Sequence, residues 1–123
     1  MLNHKKLLAS LAKEFAPVLK HSPDAVYLWL DEQNVVGNAK FAKLFGRPAK
    51  GVKGKSFLDL FVAERDHEKF ADHYHKTIAG LGSPVRFKFH GRRTSGRTML
   101  LETDMIPITW KGHVVAYHFV RKA

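Results

Sequence analysis

The sequence predicts an α+β domain: a five-stranded antiparallel sheet with helices across one face, and one more helix flanking it at the N-terminus. Three observations carry this. Residues 85–121 alternate apolar and polar side chains in three runs separated by turn residues, the mark of antiparallel strands with one buried face. Residues 2–20 and most of 39–79 instead repeat apolar side chains at helical spacing, with a short strand pair between the two stretches. A sheet with one apolar face must bury it, and helices from the same chain are the available cover.

Leu7, Leu8, Leu11, Phe15, Val18 and Leu19 recur at helical spacing over residues 2–20, and Pro17 kinks or ends a regular helix there. His21-Ser22-Pro23-Asp24 breaks the pattern. Residues 25–30 form a strand with Val26, Leu28 and Leu30 on one face and Tyr27 and Trp29 on the other; a turn over 31–34 leads into a second strand at Val35-Val36. Asn38 suits a helix N-cap, Phe41, Leu44 and Phe45 make the apolar stripe, and Gly46 fits the stop. A loop rich in Gly and Lys follows over 47–55. Ser56 then caps a short helical piece, with Asp59 at the third position. The helix expected over 64–79 places Phe70, Tyr74 and Ile78 on one stripe, and Gly80 ends it before a turn at Gly82-Ser83-Pro84. In the last part, Val85, Phe87 and Phe89 alternate with Arg86, Lys88 and His90. Leu101, Thr103 and Met105 share a face of the next strand, and Val115, Tyr117 and Phe119 share a face of the last.

A chain of 123 residues is one ordinary domain, and 45% hydrophobic residues with nine Phe supply a core. The absence of Cys excludes disulfides, thiolate metal sites and Cys-based catalysis. Lys13 and Glu14 interrupt the N-terminal apolar pattern well short of a signal segment or a membrane span, so a cytoplasmic protein is expected. The formal net charge of +10 is spread along the chain and densest at Lys50–Lys55 and at Arg92, Arg93 and Arg97. Neither cluster is interleaved with aromatic residues as a nucleic-acid stacking platform would be, so the charge reads first as solubility.

Several segments, in this order, resemble the PAS family over about residues 22–120. Ser22-Pro23-Asp24-Ala25-Val26 resembles the family's entry into its first strand. Asn38-Ala39-Lys40-Phe41-Ala42-Lys43-Leu44-Phe45-Gly46 is similar to its N-x-A-F-x-x-L-F-G signature, with Ala and Lys exchanged in order. Gly54 to Phe61 looks like G-K-S-x-x-D-L. Arg93 to Gly96 resembles the family's D-G hairpin, with Ser95 in place of the usual Asp. Ile106-Pro107-Ile108 and Gly112 complete the set. The resemblance implies a PAS-like domain over 22–121, with residues 1–21 as an amphipathic flanking helix. It implies sensing of a small ligand, light or redox state, or dimerisation. Photochemistry that needs a cysteine adduct is excluded by composition.

On this reading the pocket candidates are Leu28, Phe41, Phe45, Phe57, Phe61, Phe70, Tyr74, Phe87, Phe89, Thr103 and Tyr117, with Thr103 and Tyr117 as the polar groups that orient a ligand. Dense interior packing makes a filled core the first reading of the same rings. No cofactor is expected outright; haem and flavin are the two that the resemblance admits. His67, with Phe70 and Tyr74 at i+3 and i+7, resembles the proximal haem ligand of the family's oxygen sensors. His73 and His75 point to different helix faces, and no metal site is expected. No catalytic residue is expected either. Asp59, Glu64, Asp66 and Glu68 sit at helix starts, Glu102 and Asp104 share a solvent-facing strand face, and no phosphate loop or nucleophile elbow occurs.

Leu7, Leu8, Leu11, Phe15 and Leu19 form a stripe suited either to homodimerisation or to packing on the domain's own sheet. A sheet face bearing Trp29, Val114 and Ala116 is expected to be exposed and to offer a second dimer surface. The expected partners are a second copy and an effector protein in trans, with an acidic protein or nucleic acid as the alternative for the basic surface.

Overall fold

The structure is a computed structural model and describes residues 4–30, 34–49, 52, 54–80 and 84–123. Residues 31–33 of the expected turn, the Gly82-Ser83 turn, the side chain of Ile78 and most of the Lys50–Lys55 cluster lie outside the described residues. The short helix expected to be capped by Ser56 begins instead at Gly54, so Ser56 lies inside it and is not its cap.

The N-terminal stretch is two helices, α1 (His4–Glu14) and α2 (Ala16–His21). Pro17 sits in the first turn of α2, where its missing N–H would have had no helical partner in any case. Strands β1 (Ala25–Leu30) and β2 (Asn34–Gly37) form the first antiparallel pair. Next come α3 (Ala39–Phe45) and α4 (Gly54–Phe61), then a 3-10 turn at Glu64–Asp66 and α5 (His67–Gly80). Strands β3 (Val85–Arg92), β4 (Thr98–Trp110) and β5 (His113–Lys122) close the chain. The sheet order is β2-β1-β5-β4-β3, with every neighbouring pair antiparallel, so the first and last strands meet at the centre.

Both caps of α3 form as their chemistry requires. The Asn38 carboxamide oxygen accepts the Phe41 N–H at 2.9 Å. Gly46 takes φ 84° and returns its N–H to the Ala42 carbonyl at 2.8 Å. A Cβ there would be strained by that φ and would meet Thr94 Oγ1 at 2.6 Å. The helix expected from Glu64 starts as α only at His67. Asp66 is held in the 3-10 turn because its carboxylate accepts the His90 N–H at 2.6 Å and contacts His90 Nδ1 at 2.8 Å. Burial alone would raise the Asp66 carboxyl, but these contacts outweigh it and hold the group below its ordinary value.

The sheet is covered on both faces. Helices α3, α4 and α5 lie over one face, where Tyr27, Trp29, Phe87, Phe89, Leu101, Met105, Ala116 and Val120 meet Phe41, Phe45, Phe57, Phe61, Phe70 and Tyr74. Helix α1, together with Phe15 and Leu19, lies over the other face, against Val26, Leu28, Leu30, Trp110, Val115 and Tyr117. All six residues of β1 are therefore buried. This corrects the expected exposed face: Trp29 and Ala116 are buried in the main core, and Val114 is half-buried. The cause is the facing of the strands: Trp29 and Ala116 point to α3–α5, and α1 covers the opposite face, so both sides are buried and the alternation that a one-sided sheet would show is lost.

Candidate functional site

Nine of the eleven expected pocket residues share the interior beneath α3, α4 and α5: Phe41, Phe45, Phe57, Phe61, Phe70, Tyr74, Phe87, Phe89 and Thr103. Phe41 lies 4.6 Å from Phe45 and 5.0 Å from Phe61 between ring centroids, and Phe70 lies 5.2 Å from Phe89 in an edge-on contact. Offset and edge-on pairs at these spacings are the favoured aromatic geometries. Leu28 and Tyr117 are on the opposite face. Tyr117 leans on Phe119 at 4.7 Å and Phe15 at 6.3 Å, so it is no handle for a ligand among the nine. Thr103 is buried with the nine, and its hydroxyl lies 3.4 Å from the Asp104 carbonyl.

Three residues that the sequence reading did not choose form the polar part of this interior. Tyr27 stands opposite His118 in the β1–β5 register, and Trp29 stands opposite Ala116. The His118 ring stacks on Tyr27 with centroids 4.0 Å apart and planes 9° from parallel. It lies 6.2 Å from both Trp29 and Phe70. His118 Nδ1 contacts the Ala116 carbonyl at 3.1 Å. A carbonyl only accepts, so Nδ1 carries the hydrogen and Nε2 is a bare lone pair. Tyr27 Oη, Trp29 Nε1 and His118 Nε2 are all buried and have no hydrogen-bond partner among the described residues. Burial pushes His118 down to about 3, outweighing the Ala116 and Tyr27 backbone contacts that would raise it, so the ring is neutral at physiological pH. Burial, and then the nearby Tyr74, push the Tyr27 phenol well above its ordinary value, so it keeps its proton.

The expected haem ligand is placed elsewhere. His67 is the first residue of α5, and its Nε2 lies 2.7 Å from the Val62 carbonyl. The ring faces an open polar groove with Asp59, Glu64 and Arg92, not the interior that holds Phe70 and Tyr74. His67 and the aromatic set share no space, so these residues do not fit a haem. His73 stacks on Phe87 at 4.2 Å, and burial lowers its pKa. Among the described residues, no group of three or more His, Asp or Glu could hold a metal ion.

Two of the three arginines in the second basic cluster are used structurally. Arg93 Nη1 donates to the Leu44 carbonyl at 2.7 Å and the Lys43 carbonyl at 3.2 Å, at the negative end of α3. Arg92 Nη1 donates to the Asp59 carbonyl at 3.4 Å. On the outer face, Arg121 bridges Glu102 and Asp104 at 2.6 and 2.9 Å, and Arg86 adds a contact to Asp104 at 2.6 Å. Burial alone would raise Asp104; the two guanidinium groups outweigh it and hold the carboxyl below its ordinary value.

The helix stripe is spent on the domain itself. Leu7 and Leu11 are buried under α1, while Leu8, Phe15 and Leu19 are half-buried against the same cluster. Glu14 accepts a hydrogen bond from the Trp110 indole, and Lys111 Nζ lies 3.4 Å from Ser10 Oγ, so the β4–β5 turn is tied to α1. Asn38 ties α2 to the interior: its Nδ2 donates to the Leu19 carbonyl at 3.0 Å and the Asp24 carbonyl at 3.1 Å, while Oδ1 accepts from Val26 N at 3.1 Å and Phe41 N. No described helix is long and apolar enough to cross a membrane.

Solved structures similar to this chain are PAS domains. The PAS domain of an HTR-like protein from Haloarcula marismortui matches with a TM-score of 0.72 at 18% identity, covering 97% of each chain. A PAS domain from a two-component sensor histidine kinase matches with a TM-score of 0.67 at 17% identity, over 94% of this chain and 99% of that one. The Drosophila melanogaster Cycle PAS-B domain matches with a TM-score of 0.66 at 12% identity, over 80% and 99%. Identities this low speak for the fold alone. No curated protein matches the sequence. The sequence model of the PAS fold matches residues 13–121, and with that match the chain belongs to the PAS family of sensory and signalling domains.

Proposed function

We propose that this PAS domain is a ligand-responsive signalling module that holds a small molecule beneath α3–α5 and passes its state to another protein. The observation that carries the reading is the set of three unpartnered, buried polar atoms on the two central strands, Tyr27 Oη, Trp29 Nε1 and His118 Nε2. An unsatisfied buried group costs about 1–3 kcal/mol, so three of them on one core face weigh against a purely structural interior. Cycle PAS-B, a structural neighbour, is described with ethylene glycol bound, which is in keeping with small polar guests on this fold. The output route runs through Asn38, whose side chain holds both the start of α3 and the end of α2.

A second reading, an interaction module with a filled core, is favoured by the ring-on-ring packing of Phe41, Phe45, Phe57 and Phe61. The two tryptophans separate the readings. Trp29 lies in the candidate site, and Trp110 lies on the opposite face, bonded to Glu14. The indole N–H resonances are followed by NMR while the low-molecular-weight fraction of a cell extract is added. A saturable shift at Trp29 without one at Trp110 supports ligand binding; an unmoved Trp29 at saturating extract supports the filled core.

We further infer that the output partner is a separate protein, in the cytoplasm. Homodimerisation, the other expected association, would need either release of α1 or a surface other than its buried stripe. Light scattering across a concentration series measures it directly.

A further inference from the structure

The three unpartnered atoms have fixed hydrogen-bonding roles. Trp29 Nε1–H can only donate. His118 Nε2 can only accept, because its Nδ1–H faces the Ala116 carbonyl. Tyr27 Oη can do either. A guest that satisfies the set must therefore donate to His118 and accept from Trp29. A carboxylate only accepts and an ammonium only donates, so each leaves one buried atom unpaired. A hydrocarbon leaves all three.

Charge points the same way. The buried polar residues described are Ser22, Thr77, Thr103 and His118, with no Asp, Glu, Lys or Arg among them. An ion placed beside His118 would lose its water and find no opposite charge. Size is limited too: Tyr27 stacks in contact on the His118 ring at 4.0 Å, and Trp29 and Phe70 stand at 6.2 Å, so only a small guest reaching the ring edge, not its stacked face, fits.

We propose that this site takes a small, uncharged molecule carrying both a hydrogen-bond donor and an acceptor, of the amide or alcohol kind, which donates to His118 Nε2 and accepts from Trp29 Nε1. The inference rests on the reading of this interior as a ligand site.

The test uses three probes of nearly equal shape on the full chain at neutral pH and matched ionic strength: acetamide, acetate and acetamidinium. The readouts are the His118 Nε2 nitrogen resonance and the Trp29 indole N–H resonance. Acetamide is expected to shift both saturably, and the two ions at equal concentration to leave both unmoved. In His118→Phe the acetamide affinity read at Trp29 falls about tenfold, the equivalent of one lost hydrogen bond. Trp29→Phe, read at His118, gives the same test if the first variant does not fold. Ions that shift the two resonances as acetamide does, or an affinity unchanged in both variants, overturn the assignment. If all three probes are silent while cell extract moves Trp29, the ligand class is wrong and the ligand reading stands. If both probes and extract are silent, the ligand reading itself falls.

Discussion

Lowering the pH from 7 to 5 is expected to destabilise this protein by about 2 kcal/mol through His118 alone. The ring ordinarily titrates near 6.5 and is pushed down to about 3 by burial. Below pH 6.5 the unfolded chain takes up a proton that the folded chain refuses until about 3. The unfolded state therefore binds more protons across that window, and stability falls as the pH falls. The slope approaches about 1.4 kcal/mol per pH unit, so the stretch from 6.5 to 5 accounts for about 2 kcal/mol. That is a large share of the roughly 5–15 kcal/mol that holds a domain of this kind together. Urea unfolding at pH 7 and pH 5 measures it, with His118→Phe as the partner that cannot titrate. The quantity that matters is the difference between the two proteins. Asp66 and Asp104, both held below their ordinary values, keep their contribution until the pH drops through the carboxylate range, and they are present in both proteins. If wild type and His118→Phe lose stability equally between pH 7 and 5, then His118 carries a proton in the folded protein and the account of a dry, neutral ring is wrong.

Three further perturbations test the fold and its couplings. Asn38→Ala removes four side-chain hydrogen bonds that join α2, β1 and α3; an expected loss of about 2–4 kcal/mol in urea unfolding, with faster amide exchange at Ser22, checks the hub, and a loss below about 1 kcal/mol contradicts it. Leu11→Ala deletes a side chain buried between α1 and the sheet and is expected to lower stability by about 2–5 kcal/mol; a near-neutral change would mean that α1 is not docked in solution. Tyr27→Phe removes an unpartnered hydroxyl while keeping the ring that stacks on His118. It is expected to leave the ligand-free protein as stable or to stabilise it by about 1 kcal/mol, and a clear destabilisation would reveal a hydrogen bond at Oη.

Local chemistry was legible in the sequence and facing was not. The Asn38 cap, the Gly46 stop, the 94–96 hairpin and the order of the strands follow from side chains acting on their own neighbourhoods, and all are in the structure. Residues 25–30 read Ala-Val-Tyr-Leu-Trp-Leu, apolar or amphipathic throughout, and all six are buried. A period of two cannot orient a strand that is covered on both sides. Assigning Leu28 and Tyr117 to the interior beneath α3–α5 was the natural error; the β1–β5 register sends Tyr27, Trp29 and His118 there instead. His67 failed for a related reason. Helical spacing aligns Cα positions, but a ring at the first residue of α5 turns back to the Val62 carbonyl before the wheel applies.

Reversing the faces changes the functional argument, not just the bookkeeping of residues. With Leu28 and Tyr117 inward, the interior would be nearly apolar, and one phenol near its rim would be weak grounds for a ligand. With Tyr27, Trp29 and His118 inward, three polar atoms without partners among the described residues lie on one core face, at a cost of about 3–9 kcal/mol if each carries the usual penalty. That is the scale of the whole stability of a domain. Phe at positions 27 and 118 would keep the ring stack and lift most of the penalty. A core selected only to be filled has no use for the polar atoms, whereas a core that opens for a hydrogen-bonding guest recovers the cost when the guest arrives. His118 is the sharpest case: its Nδ1 is anchored to the Ala116 carbonyl, which fixes the ring and leaves the acceptor edge committed to whatever lies against it.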